Sequence, residues 1–108
     1  MGEKEWGIIS KLESKFQSEL IKELKDLFPG CIVLKNDPNY IQGIPDLTIF
    51  WHDKWATLEV KKSFMASQQP NQEYYVNVMD IMSFSRFIYP ENKEVVLREL
   101  QQSFGFKG

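Results

Sequence analysis

The chain has 108 residues, 43% of them hydrophobic, and a formal net charge of −2. This length and composition predict a single domain, residues 1–108, with a hydrophobic core of its own, and they exclude a mainly disordered chain. The near-neutral charge gives no sign of a nucleic-acid or membrane partner.

The scarcity of cysteine and histidine limits the chemistry that the chain can support. Cys31 and His52 are the single representatives of their types. An internal disulfide is therefore excluded, and a Cys/His zinc site or a Ser/His/Asp triad is disfavoured. A lone cysteine suits a reducing compartment, so we expect a cytoplasmic protein. The longest purely apolar run, Cys31 to Leu34, is too short to span a membrane.

Apolar spacing and proline positions predict seven elements in the order α-β-β-β-α-β-α. The clearest is a helix from Ser10 to Phe28, in which apolar residues recur every three or four positions until Pro29-Gly30 ends it. The β-branched run that follows is typical of a buried strand. In chain order, the later elements are strands at Cys31–Lys35, Leu47–Trp51 and Trp55–Val60, a helix at Pro70–Ser83, a strand at Phe84–Tyr89 and a helix after Pro90 that ends near Gly105. This order predicts an α/β fold with a small mixed sheet flanked by helices.

Three charged residues on the predicted hairpin could carry chemistry. Asp46 begins the second strand, while Glu59 and Lys61 lie two apart on the third and so leave the same face of the sheet. Two carboxylates that converge on one spot are costly unless a cation joins them, and an all-oxygen site suits Mg²⁺ or Mn²⁺. The alternative is a solvated Glu-x-Lys ion pair of little energetic value. The interior character of the surrounding strand favours the functional interpretation.

These residues also form a pattern that resembles a known family. Pro45-Asp46, twelve intervening residues and then Glu59-Val60-Lys61 resemble the PD-(D/E)xK nuclease signature. More narrowly, the Gly43–Asp46 segment together with Pro70-Asn71-Gln72 resembles the VRR-NUC group of small nucleases, which occur in bacteriophages and as domains of larger repair enzymes. The resemblance covers most of the chain and implies a restriction-endonuclease-like core.

The resemblance assigns a role to each matching residue. It implies that Asp46, Glu59 and the main-chain carbonyl of Val60 bind Mg²⁺ or Mn²⁺, and that Lys61 positions or activates the attacking water. It also implies a glutamine close to the metal at the start of the following helix. Gln72 fits that position, and Gln68 and Gln69 are rival candidates.

The family has a further carboxylate on its first helix. Glu13 falls within the arc of apolar residues on a helical wheel, and Glu13 with Gln17 resembles the Glu-x-x-x-Gln start of the family's helix. Ser10 and Glu13 also have the spacing of a capping box, which is the structural alternative. Glu19 is the other candidate for this carboxylate.

The resemblance further implies what the protein acts on. We expect a Mg²⁺-dependent endonuclease that hydrolyses DNA phosphodiesters, is selective for branched DNA such as flaps or four-way (Holliday) junctions, and serves phage replication, recombination or repair. A homodimer is expected by analogy with junction-cleaving relatives, and no membrane association is expected. Two alternatives stay open: a catalytically inactive nucleic-acid-binding module, and a phage or host protein-interaction domain.

Overall fold

The computed structural model describes the backbone of residues 3–105 and the side chains of residues 11–105. Within this range the chain forms three helices and four strands in the predicted order. They are α1 (Glu3–Leu27), β1 (Ile32–Lys35), β2 (Leu47–Trp51), β3 (Lys54–Val60), α2 (Pro70–Met82), β4 (Ser85–Ile88) and α3 (Lys93–Ser103). The predicted domain range of 1–108 includes residues 1, 2 and 106–108, which lie outside the described residues.

The four described strands form one mixed sheet, as predicted, and their order in the sheet is β1-β2-β3-β4. β1, β2 and β3 are antiparallel neighbours, while β4 lies parallel to β3. The β2–β3 hairpin turns through His52 and Asp53, and His52 adopts a positive φ of 57° at the tip. A parallel neighbour requires a crossover, and α2 supplies it between β3 and β4.

One face of the sheet forms the hydrophobic core. Leu47, Ile49 and Leu58 are fully buried and belong to one cluster with apolar residues of α1 and α3. The ring of Phe28 packs edge-on against both Trp51 and Phe104, with centroid separations of 5.2 Å in each case. Burial of this face anchors the end of α1 and the end of α3 to the sheet.

The opposite face of β3 and β4 lies under α2. The hydroxyl groups of Thr57 and Ser85 are 2.7 Å apart, and the Met79 sulfur lies 3.4 Å from the Thr57 hydroxyl. Because side chains alternate along a strand, Glu59 leaves the sheet on the same face as Thr57. α2 therefore covers the side of the sheet from which the predicted catalytic side chains project.

The prediction of a buried first strand is wrong. β1 pairs only with β2 among the described strands, and it forms an edge of the sheet. Ile32 and Leu34 remain 59% and 46% exposed, while Val33 packs against the core. The β-branched composition correctly indicates a strand. Whether the face that carries Ile32 and Leu34 is buried depends on how far α2 extends across the sheet.

α1 begins at Glu3, so it is longer than the predicted helix that starts at Ser10. Residues 10–13 consequently lie within the helix, and the capping-box explanation for Glu13 is wrong. The proline-free segment before Ser10 continues the helix, so the Ser-to-Glu spacing marks no helix start. Leu12, expected on the apolar face, is 56% exposed.

No helix within residues 3–105 combines the length and the apolar character needed to cross a membrane.

Candidate active site

Asp46 and Glu59 meet at the end of the β2–β3 hairpin. Leu47 pairs with Leu58, so one further step along the antiparallel register sets Asp46 opposite Glu59. The Asp46 Oδ2 atom accepts a 2.9 Å hydrogen bond from the Val60 N–H, which fixes the carboxylate against the neighbouring strand. Glu59 is 1% exposed. The two carboxyl groups therefore lie together in a site almost closed to solvent at Glu59.

This pair cannot hold two negative charges cheaply. Burial, together with the hydrogen bond to Asp46 and the negative charge of Asp46, raises the pKa of Glu59 to about 9. The positive charge of Lys61 opposes this shift, but burial dominates it. Without a cation, the raised pKa favours a protonated Glu59 carboxyl group that donates a hydrogen bond to Asp46.

Lys61 continues the same face beyond the end of β3. Its backbone N–H donates to the Ile88 carbonyl at 2.8 Å, which keeps the residue in register with β4. The side chain is 8% exposed, and its Nζ atom donates to the Gln72 Oε1 atom at 2.7 Å and to the Ser67 carbonyl at 3.1 Å. Both acceptors are neutral. The ammonium group is therefore positioned without being neutralised by an ion pair at these two contacts.

Gln72 is the glutamine that the structure brings to the site. It occupies the third position of α2, and its Oε1 atom accepts hydrogen bonds from Lys61 Nζ and from the Gln69 N–H at 3.1 Å. Gln68 and Gln69 are exposed. One side chain thus both closes the first turn of α2 and holds the lysine.

Glu13 lies on the edge of this group. Partial burial raises its pKa, the Asp46 charge raises it further, and Lys61 and Lys62 lower it. These mutual influences place Glu13 in the electrostatic surroundings of the hairpin residues. Glu19 is exposed, so of the two candidate carboxylates on α1 it is Glu13 that lies toward the site.

Three contributors were missed or misjudged from the sequence. Lys62 was not among the predicted site residues, yet its positive charge opposes the rise in the Glu13 pKa. Asn36 was not predicted to take part, yet its Nδ2 group donates to the Pro45 carbonyl at 2.9 Å and so holds the segment before Asp46. Ser67 acts through its main-chain carbonyl, which leaves no trace in side-chain chemistry.

The loop that carries Asp46 is packed directly on α2. Gly43 has a φ of 90°, and a Cβ atom added there would lie 2.8 Å from the backbone carbonyl carbon of Asn71. Glycine is required at this position both by conformation and by space. This contact aligns Asp46, on the loop side, with Gln72, on the helix side.

The donor set fits a hard divalent cation with few protein ligands. Among the described residues, no group of three or more His, Cys, Asp or Glu side chains is arranged to hold a metal. Mg²⁺, however, binds through one or two carboxylates and retains several waters. Asp46 and the buried Glu59 satisfy that requirement, and a divalent charge would replace the proton that they share.

Comparisons with known proteins add no constraint to this geometry. The chain matches no family model, no curated protein and no solved structure. Inference about function therefore depends on the residues themselves.

Proposed function

We propose that the protein is a metal-dependent endonuclease with a restriction-endonuclease-like core that hydrolyses DNA phosphodiester bonds. The observation that carries this proposal is the buried Glu59 carboxyl group against Asp46, beside a lysine that is held by neutral acceptors. A structural ion pair does not account for it, because the two acids contact each other and the lysine is bound elsewhere.

The ligands in this proposal are Asp46, Glu59 and the main-chain carbonyl of Val60, with Mg²⁺ or Mn²⁺ as the ion. When bound, such an ion supplies Lewis acidity toward a phosphate oxygen and lowers the pKa of its water. The residues themselves provide one buried carboxyl group, since Glu59 is 1% exposed, beside the partly buried Asp46.

Lys61 supplies positive charge at the phosphate. An ammonium group has three donors, and two are used by Gln72 and Ser67. The third donor remains for the attacking water or a phosphate oxygen, where it offsets the charge that develops during hydrolysis. Gln72 acts by positioning the lysine, and Glu13 adds a carboxylate at the edge of the site for a second water or proton.

The proposed substrate is branched DNA, such as flaps or four-way junctions, and the proposed assembly is a homodimer in which each subunit cuts one strand. The net charge of −2 supports structure-selective over sequence-selective binding, because a weakly charged chain gains little affinity from phosphate contacts alone. The same proposal places the protein in the cytoplasm, which is that of the host cell if the protein is encoded by a phage.

Cleavage of end-labelled duplex, flap and four-way-junction DNA tests the proposal. The wild type should cut in Mg²⁺ or Mn²⁺ and not in EDTA. Asp46→Asn, which retains an acceptor for the Val60 N–H, and Lys61→Met should each lower the rate by about a hundredfold or more. The matched controls are Asp53→Asn and Lys54→Ala, at the exposed tip of the same hairpin.

The outcome also separates the alternatives. Folding of each variant is checked by circular dichroism and thermal melting. Full metal-dependent activity in either site variant would refute the assignment of the site. A folded wild type that binds DNA without cutting any substrate would indicate the binding module, and a stoichiometric protein complex without DNA affinity would indicate the protein-interaction domain.

A further inference from the structure

A cleft beside Lys61 has a lining unlike the rest of the site. It has a volume of about 270 Å³ and lies between the β1–β2 loop and the first turn of α2. Apart from Gly43, the described residues that line it are four amides and two prolines: Gln42, Gln69, Asn71, Gln72, Pro38 and Pro70. None of them is charged. We refer to this group as the amide cleft.

This lining suits a flat, uncharged heterocycle. Each amide side chain offers both a donor and an acceptor, which is the pattern needed to pair with the edge of a nucleobase. The proline rings provide apolar surfaces for its faces.

The amide cleft is joined to the catalytic residues through Gln72. The Oε1 atom of this side chain is occupied by Lys61 and Gln69, which leaves its NH₂ group for a ligand. A base that contacts this group lies next to the lysine. The lysine charge in turn acts on Glu59, so the base lies on the same side of the site as a phosphate held at Lys61 and the two carboxyl groups.

We propose that the amide cleft binds one unpaired nucleobase of the strand that is cut. The proposal rests on the proposed nuclease function and specifies its substrate class. A base within continuous duplex is stacked and paired, and extruding it costs free energy, whereas a flap or a junction already presents unpaired bases. Base contacts in the cleft then contribute the affinity that the charge of the chain does not supply.

The test measures binding in EDTA, where no cutting can occur. Fluorescence anisotropy measures the affinity for a labelled duplex with a single-stranded flap, made in a DNA and an RNA version. In a series of these probes, one abasic residue is placed in turn at each unpaired position near the branch. The variants are Gln42→Ala and Asn71→Ala. The second substitution keeps the Asn71 Cβ atom, which lies next to Gly43. The matched control is Asn77→Ala, on an exposed position further along α2.

We expect one abasic position to weaken binding to the wild type by about tenfold. Asn71→Ala should weaken binding of the intact flap by a similar factor and leave binding of that abasic flap unchanged, while Asn77→Ala matches the wild type. Comparison of the DNA and RNA versions shows which type of nucleic acid supplies the base. Three results would overturn the proposal. The wild type could bind intact and abasic flaps equally, Asn71→Ala could lose the same affinity for intact and abasic flaps, or the protein could bind no oligonucleotide.

Failure of the two proposals can be distinguished. Base-dependent binding by a protein that cuts nothing in Mg²⁺ or Mn²⁺ refutes the nuclease and retains the amide cleft. Metal-dependent cutting without any difference between intact and abasic flaps retains the nuclease and refutes the cleft.

Discussion

Replacement of Glu59 by glutamine should stabilise the metal-free protein at neutral pH. The ordinary pKa of 4.5 applies to Glu59 in the unfolded chain, and the fold raises this pKa to about 9. Between these values the unfolded chain loses a proton that the folded chain keeps. The contribution of Glu59 to the free energy of unfolding is therefore complete below pH 4.5 and is lost as the pH rises toward 9. Each pH unit corresponds to about 1.4 kcal/mol.

The difference between variant and wild type follows from this slope. Glutamine has no proton to lose, and its NH₂ group still donates to Asp46. The free energy of unfolding of Glu59→Gln should exceed that of the wild type by under about 1 kcal/mol at pH 5 and by about 3 kcal/mol at pH 7. Urea denaturation in EDTA at several pH values measures it. Glu94→Gln, at an exposed position on α3, is the control and should show no such trend.

A difference that is constant with pH would refute the reasoning, and so would a variant that is less stable than the wild type at pH 7. Either result would mean that Glu59 is ionised in the folded, metal-free protein. Addition of excess Mn²⁺ at pH 7 extends the test, since it should stabilise the wild type by mass action and leave Glu59→Gln unchanged.

Three further substitutions probe how the site and the core are held. Gly43→Ala should lower the free energy of unfolding by about 3 kcal/mol in urea denaturation, because the new Cβ atom meets the Asn71 backbone and the φ of 90° is strained for alanine. Gln72→Ala should lower kcat by about tenfold with little change in KM, because Lys61 loses an acceptor. Phe28→Ala should lower the free energy of unfolding by about 4 kcal/mol, because its ring is fully buried between two others.

Each of these changes has a control of the same type. Gly30→Ala has a similar φ of 86° but no atom within 4 Å of the added Cβ, so it reports the conformational cost without the clash. Equal destabilisation by the two glycine substitutions would contradict the close contact with α2. Gln68→Ala should leave kcat unchanged. Phe64 is 61% exposed, and Phe64→Ala should cost under about 1 kcal/mol.

The order of helices and strands could be predicted from the sequence because it depends on local patterns of apolar residues, prolines and glycines. The apolar spacing that precedes Pro29-Gly30 marks a helix wherever it occurs, and the polar tip around His52 separates two strand-like runs. Burial of β1 could not be predicted in the same way. The exposure of Ile32 depends on α2 covering β3 and β4, which is a property of the tertiary arrangement.

The candidate site shows the same division. The sequence predicted that Asp46, Glu59 and Lys61 meet on a hairpin, but it placed residues 52–54 in the turn. Lys54 instead pairs with Trp51, and the resulting two-residue turn sets the register that brings Asp46 opposite Glu59. The choice of Gln72 over Gln68 could not, since it depends on where α2 begins relative to the Lys61 ammonium group. The Ser67 carbonyl was out of reach because any residue type offers the same acceptor.

Because Gly43 has no side chain, the loop between β1 and β2 and the first turn of α2 are in direct backbone contact. Because the loop backbone rests against Asn71, displacement of the loop must push on the first turn of α2, and that turn carries the amide that holds Lys61. A base bound in the amide cleft, as proposed above, would touch the loop and this turn at the same time. The loop and the turn that holds Lys61 meet at a contact that exists only because residue 43 has no Cβ atom.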